Sequence, residues 1–457
     1  MPNKIPVVLV LGLAATLLAG VDLARAATAE EAEKLKTVLT PLGGERAGNA
    51  DGAIPAWTGG YTTVPPGYRN GDPRPDFFAS EKPLFSITKA NMEKYAAKLS
   101  DGDRFMLDKL PSYRIDVYPT HRTAAAPQWV YDNTFANATR AKTADGGLTL
   151  QGAYGGIPFP IPKEGVEVLW NHELAWAGEA QEFQFSTFMV TDAGQQVLSS
   201  RAHNIQQYPY YYKNGTLDGF HGEAYMVDNV TTDPPFKAGE VILYRDPTDY
   251  ANHARQAWQY LTGQRRVRRA PTIGFDTPND EASGVSNFDE IFVFNGSSER
   301  YNWKLVGKTE LYVPYNDNKL LSADPAGIFK NGPAHLNPDL VRWELHRVWV
   351  VDATLKDGQR HTVPHRRFYM DEDTWSILVA DGWDANGKLW KHYYGLPLLA
   401  PDLPGVVTLT HVIDNVQTGA WSIGVVYQNA PGAQLKFVER QSDDFFTPDA
   451  LAARGVR

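Results

Sequence analysis

The chain has 457 residues, of which 43% are hydrophobic, 21% charged and 12% aromatic; it has no cysteine and a formal charge of −9. Such a composition belongs to an ordinary globular protein with a large core. Without thiols there are no disulfides, thiolate metal sites or lipidated cysteines, and the negative balance argues against a dedicated nucleic-acid binder, which needs a concentrated cationic surface.

Residues 1–26 have the build of a cleavable signal peptide: Lys4, an apolar run from Ile5 to Gly20, and the small-x-small site Ala24-Arg25-Ala26, with cleavage expected after Ala26. No later segment is apolar enough to span a bilayer, so a soluble, exported bacterial envelope protein is expected. Thr28-Ala29-Glu30-Glu31 has capping-box spacing and predicts a helix to about Val38, stopped by Pro41 and Gly43-Gly44. Residues 42–60 read as an ordered loop anchored by Ile54 and Trp57. Two helices are predicted across a sheet, Thr88 to Leu99 and Asp101 to Leu110, the second capped by Ser100 and ended by Pro111. Ile115 to Tyr118 is a short strand.

From Gly146 the pattern becomes strand, turn, strand. The organisation expected is therefore an extension over 27–145 packed on a β body over 146–457, with 27–457 one structural unit. The alternate prolines of Gly155-Gly156-Ile157-Pro158-Phe159-Pro160-Ile161-Pro162 forbid helix and central strand alike and suggest a stiff rim or lid. Strands are predicted at Phe183 to Val190, Gln195 to Ile205, Glu240 to Arg245, Ile291 to Phe294 and Lys304 to Val313, with a short helical turn within 249–261. Residues 341–394 carry the strongest β pattern, a meander of about four strands with turns at Asp357-Gly358, Asp371-Glu372-Asp373 and Asn386-Gly387. Alternation there slips at Arg347, which reads as a bulge. Two closing strands, Thr408 to Asp414 and Gly419 to Gln428, precede a short terminal helix opened by Thr447-Pro448.

Chemistry-bearing patterns are few. In Arg265-Arg266-Val267-Arg268-Arg269, an extended backbone puts arginines on both faces, so one set is expected on a cavity or its rim. There it would clamp an anionic head group, or pair with internal carboxylates. His361 and His365 flank Pro364, a poor frame for a metal, and no metal site or cofactor is expected. His121-Arg122 and Asn171-His172-Glu173 are candidate polar cavity groups. No nucleophile elbow or phosphate loop is present. The pairs Glu179/Glu182 and Asp371/Asp373 are spaced like solvated turns. Aromatic clusters at 208–212, 312–315 and 390–394 suit either the mouth of a lipid cavity or plain strand packing.

The segments 47–60, 117–124, 155–172, 258–271, 300–316 and 342–353 resemble those of the DUF1329 family of bacterial envelope proteins, which is similar in fold to the lipoprotein-sorting LolA/LolB carriers. The resemblance covers nearly the whole mature chain. It implies a mainly β fold: a large curved antiparallel sheet, a half-barrel, with a few helices packed on its concave face. It also implies a periplasmic carrier for a hydrophobic, lipid-like ligand, working beside an efflux-type inner-membrane transporter and an outer-membrane protein, with no catalytic residues. Burying about sixteen methylenes gains on the order of 10 kcal/mol, comparable with an association cost of about 4–15 kcal/mol, so an apolar cavity alone suffices for reversible binding. Candidate ligand-binding residues are Arg266, Arg268, Trp170, His172, Tyr312, Trp343, Trp349, Phe368 and Trp375. Alternatives are a structural adaptor in an envelope complex and, less favoured, a hydrolase of lipidic esters.

Overall fold

A computed structural model describes residues 26–455 apart from Thr272, Ser283 and Asn331, so the signal-peptide reading falls, save for Ala26, outside the described residues. The strands are β1 (Phe85–Ile87), β2 (Ile115–Val117), β3 (Lys142–Ala144), β4 (Thr149–Gln151), β5 (Ala180–Val190), β6 (Gln196–Gln207), β7 (Glu223–Asp233), β8 (Val241–Pro247) and β9 (Gln256–Leu261). They continue with β10 (Arg266–Arg269), β11 (Tyr301–Pro314), β12 (Trp343–Leu355), β13 (His365–Asp371), β14 (Ile377–Trp383), β15 (Leu389–Ala400), β16 (Gly405–Asn415), β17 (Trp421–Tyr427) and β18 (Lys436–Phe437). The helices are α1 (Ala29–Glu33), α2 (Asp101–Lys109), α3 (Gln128–Arg140), α4 (Gly165–Glu173), α5 (Pro325–Ile328) and α6 (Pro448–Gly455).

All strands but β3 and β4 join one sheet, ordered β1-β2-β12-β13-β14-β15-β16-β17-β5-β6-β7-β8-β9-β10, with β11 beside β12 and β18 beside β5. Its pairings are antiparallel except for a single parallel bridge between Val117 and Trp343. The sheet is not closed: β10 and β11 each pair on one side only. The protein is thus mainly β, an open sheet with helices laid on it.

Strand alternation sends two sets of side chains to opposite faces. One, called the inner face here, carries Phe183, Phe185, Phe368, Tyr393 and Tyr427, and is covered by α3 and α4. The other carries Phe188, Leu378, Tyr394, Val412 and Trp421 and is covered in part by α2 and residues 85–117. A smaller cluster there, Met226, Leu243 and Tyr260, packs under Phe446 and Leu451 of the carboxy-terminal segment. The capping box predicted at Thr28 forms, and the predicted cap Ser100 forms one as well.

Between β10 and β11, on opposite margins of the sheet, residues 270–300 form a strap over the inner face. Phe288, Val293 and Phe294 sit in its core, each contributing about 1.5–3 kcal/mol by burial. Glu290 meets Lys391 at 2.6 Å and the Tyr393 hydroxyl at 2.8 Å, while Asp289 meets Arg366 at 3.0 Å and His361 at 2.9 Å. Burial works against the Asp289 carboxylate, yet Arg366 and His361 hold it down at about 2.

Several expectations are corrected. The helix predicted over 88–99 is 3₁₀ at Met92–Lys98. Residues 291–294 form no strand, since Phe292 and Val293 take positive φ of 57° and 73° in the strap. The segment read as containing a helical turn supplies β9, and β7, α3 and α4 were unforeseen. In α3 the pattern is real but masked by poor helix formers: buried Val130, Thr134, Asn137 and Ala138 share a face, and Asn137 Nδ2 donates to the Gly156 carbonyl at 3.0 Å. The register of β12 runs unbroken through Arg347; the irregularity lies on its partner, between Leu305 and Gly307. Alternation slips because both faces of β12 are covered, so Arg342, Glu344 and His346 are buried against partners.

Candidate functional site

The proline-rich segment is pinned to α4 rather than free: Phe159 N–H donates to Asn171 Oδ1 at 2.8 Å and Asn171 Nδ2 returns a bond to the Phe159 carbonyl at 2.7 Å. That clamp fixes the end of α4, where His172 and Glu173 reach the inner face. They enter a pocket of about 90 Å³ between α4, the strap, β7 and β16, walled by Trp176, Tyr208, Tyr225, Phe292, Phe294 and Leu409. A second pocket of about 60 Å³ lies deeper along the sheet, among Phe183, Phe185, Val227, Phe288, Ile291 and Val425. Phe292 lines both. Each is smaller than the roughly 150 Å³ apolar cavities that admit benzene, so a longer tail requires Phe292 to move.

Several polar groups of the first pocket are already paired. His172 Nδ1 accepts from the Ile377 N–H at 3.3 Å, and Nε2 lies 3.1 Å from the Phe294 carbonyl. The ring is therefore neutral with its proton on Nε2, and burial pushes its pKa down to about 4. Neither nitrogen is free to take a proton from Ser376, which lines the same pocket. Asp246 is held by Arg255 through two bonds of 2.7 and 2.6 Å, and Arg255 Nη2 also donates to Asn295 Oδ1 at 2.8 Å. The Tyr225 and Tyr244 hydroxyls bond to each other at 2.5 Å. Glu173 Oε1, Asn295 Nδ2 and Thr408 Oγ1 are buried with no hydrogen-bond partner. Burial first, and then the Asp246 carboxylate, push the Glu173 carboxyl well above the usual range.

Of the residues expected to bind ligand, His172 lines the pocket. Phe368 backs it through Phe294, with ring centres 5.8 Å apart. Trp170 is buried behind it, its indole N–H on the Gly147 carbonyl. Trp349 and Trp375 stack 6.4 Å apart on the inner face, the Trp375 indole bonded to the Leu42 carbonyl. Tyr312 and Trp343 are in the opposite core, so the structure does not bring them to the cavity. Arg266 and Arg268 are exposed on edge strand β10, bonded to Gln264 and Gln259, and line neither inner pocket. Arg268 instead lines a separate pocket of about 360 Å³ at the sheet margin, with Gln259, Arg269, Ile273 and Phe288. Glu173 was within the Asn171-His172-Glu173 signal; Thr408 and Phe292 carried none, being brought in by strands and a strap distant in sequence.

His121-Arg122 is not a cavity group either. Arg122 clamps Asp373 through two bonds of 2.7 Å, and His121 reaches Glu81 at 2.7 Å. Asp371 and Asp373, read as a solvated turn, are buried, and with His346 they form a group whose ligand atoms lie within 4.8 Å of one another. Asp371 Oδ2 accepts from Tyr315 at 3.1 Å and from the Thr374 N–H at 2.8 Å, so this group is already bound into a network with the Arg122 cation inside it. His361 and His365 diverge, one to Asp289 and one stacking on Trp383. A serine hydroxyl does meet a histidine in Ser112–His335, at 2.8 Å, but on the opposite face, with Nδ1 turned to the Leu336 carbonyl.

The family model described as a protein of unknown function, DUF1329, matches residues 86–452. The chain is 38% identical over 463 aligned residues to a Pseudomonas aeruginosa protein named "Uncharacterized protein PA3922", covering 98% of each. Among solved structures it is similar to a DUF1329 family protein from Desulfovibrio piger, with 14% identity, TM-score 0.42, and coverage of 63% of this chain and 97% of the other. A putative outer membrane lipoprotein-sorting protein domain from Vibrio parahaemolyticus gives 13%, 0.43, 63% and 98% for the same measures. The LolA superfamily protein NE2245 from Nitrosomonas europaea gives 12%, 0.38, 63% and 100%.

Proposed function

The chain belongs to the DUF1329 family, and on that premise we propose that it is a periplasmic binding or carrier protein for a hydrophobic, lipid-like ligand. The ligand lies on the inner face of the sheet, under the strap. The observation that carries this reading is the pair of aromatic-walled pockets on the inner face of the sheet, separated by Phe292. Protein interiors are close-packed, and an apolar void loses dispersion contacts along its whole lining, so unfilled space beside a covering segment marks a place where something else packs. The signal-like residues 1–26 support export, and the carrier would work beside an efflux-type transporter of the inner membrane and an outer-membrane protein.

A neutral, environment-sensitive dye such as Nile red tests the reading. The mature protein is expected to bind it near one per chain. Ala224 is buried in β7 and lines the pocket; Ala224→Trp, checked for fold by circular dichroism, should abolish dye binding. Undiminished binding in that variant places the ligand elsewhere and defeats the proposal.

A further inference from the structure

We infer that the ligand of the inner pocket carries an uncharged hydrogen-bonding head, such as a hydroxyl, rather than a carboxylate or phosphate. The inference rests on the carrier reading and names the chemical class of its cargo.

The pocket wall contains no lysine or arginine among the described residues. The nearest guanidinium, Arg255, spends Nε and Nη2 on Asp246 and Asn295 and lies 4.6 Å from the centre of the Tyr244 ring. His172 is fixed as a neutral ring by the backbone groups on its two nitrogens. An anionic head entering here would find no counter-charge, and burying an unpaired carboxylate or phosphate costs several kcal/mol. The exposed arginines of β10 line neither inner pocket; Arg268 borders a separate one at the sheet margin.

Three groups are left over. Glu173 Oε1, Thr408 Oγ1 and Asn295 Nδ2 are buried, polar and unpartnered, from α4, β16 and the strap respectively, and all three residues line the same space. An unpaired buried polar atom is costly, so natural cores rarely tolerate one without a role. Burial and the neighbouring Asp246 carboxylate outweigh the pull of Arg255 and favour the carboxylic acid form of Glu173, with one O–H to give and a carbonyl oxygen to accept. Thr408 can do either. A hydroxyl, which also both donates and accepts, satisfies Glu173 and Thr408 without adding charge. The apolar tail then runs along Trp176 and Leu409 toward Phe292.

The test uses delipidated mature protein and three probes with the same twelve-carbon tail: 1-dodecanol, dodecanoate and dodecyl phosphate, each competing with Nile red at pH 8. The alcohol is expected to bind about tenfold or more tightly than either anion, since the site cannot repay an anion's desolvation. Thr408→Val and Glu173→Leu should cut that advantage below about threefold, and Glu173→Gln, which keeps a donor and an acceptor, should retain it. Anions binding as well as the alcohol, or an advantage untouched by Thr408→Val and Glu173→Leu together, overturns the inference and leaves the carrier reading intact. Failure of all three probes to displace the dye overturns both.

Discussion

His392 lies wholly buried on the outer face of the sheet, and its fate on titration can be worked from its surroundings. Nδ1 is 3.1 Å from Asp381 Oδ1 and Nε2 is 3.4 Å from Asp103 Oδ1, so the imidazole sits between two buried carboxylates. Asp381 also accepts from the Gly102 N–H at 3.0 Å, tying the first turn of α2 to β14. Burial alone would lower the His392 pKa, but Asp103 and Asp381 outweigh it and hold the ring protonated up to about 10. A pKa raised in the folded state stabilises fully below the unfolded value of about 6.5, and the benefit is lost as pH climbs through about 10. Removing the ring leaves two buried carboxylates without their cation, a loss of roughly 3–5 kcal/mol. Urea unfolding followed by tryptophan fluorescence should therefore show His392→Ala less stable than the parent by about that amount at pH 6, with the gap narrowing steadily between pH 6.5 and 10. A gap that stays constant over that interval, or is absent at pH 6, refutes the ion-pair account.

Asp414, beside this cluster, has its carboxyl pushed up to about 7 by burial. The folded state then holds the proton more tightly than the unfolded chain, so stability falls as pH rises from about 4 to 7; Asp414→Asn should gain roughly 2–4 kcal/mol at pH 8 and nothing at pH 4, read by urea midpoints. Phe292→Ala should join the two inner pockets, costing about 1–3 kcal/mol of stability while tightening 1-hexadecanol binding at least about threefold by dye competition. The double substitution Arg266→Ala/Arg268→Ala should leave binding of neutral and anionic probes alike within about twofold of the parent, because exposed side chains at this margin touch neither pocket.

The fold was legible where hydrophobic period and turn chemistry agree. In residues 341–394 the Gly358 and Gly387 turns take the positive φ their sequence calls for; β13 and β14 lie between them, and β12 and β15 flank them. Ser100 and Thr28 announced their helices because a cap is a local interaction. Legibility failed where tertiary partners decide. The arginine-rich run of β10 has the alternation of a cavity strand, but only the sheet order makes it an edge. Asp371 and Asp373 look like a solvated turn until Arg122, some 250 residues earlier in the chain, clamps one of them. The pocket is the extreme case: His172 and Glu173 could be suspected as cavity groups, but Thr408 and Phe292 join them only through β16 and a strap whose positive φ no strand pattern foretells.

The central claim is that the inner pockets hold a lipid-like molecule. Native mass spectrometry of protein purified from periplasm without detergent, followed by organic extraction and identification of what is released, tests it most directly. The account predicts one added mass per chain, released on extraction as a neutral amphiphile and missing from Ala224→Trp prepared in the same way. A clean apo mass that stays unchanged on incubation with envelope lipids would contradict it and shift the weight to a structural adaptor.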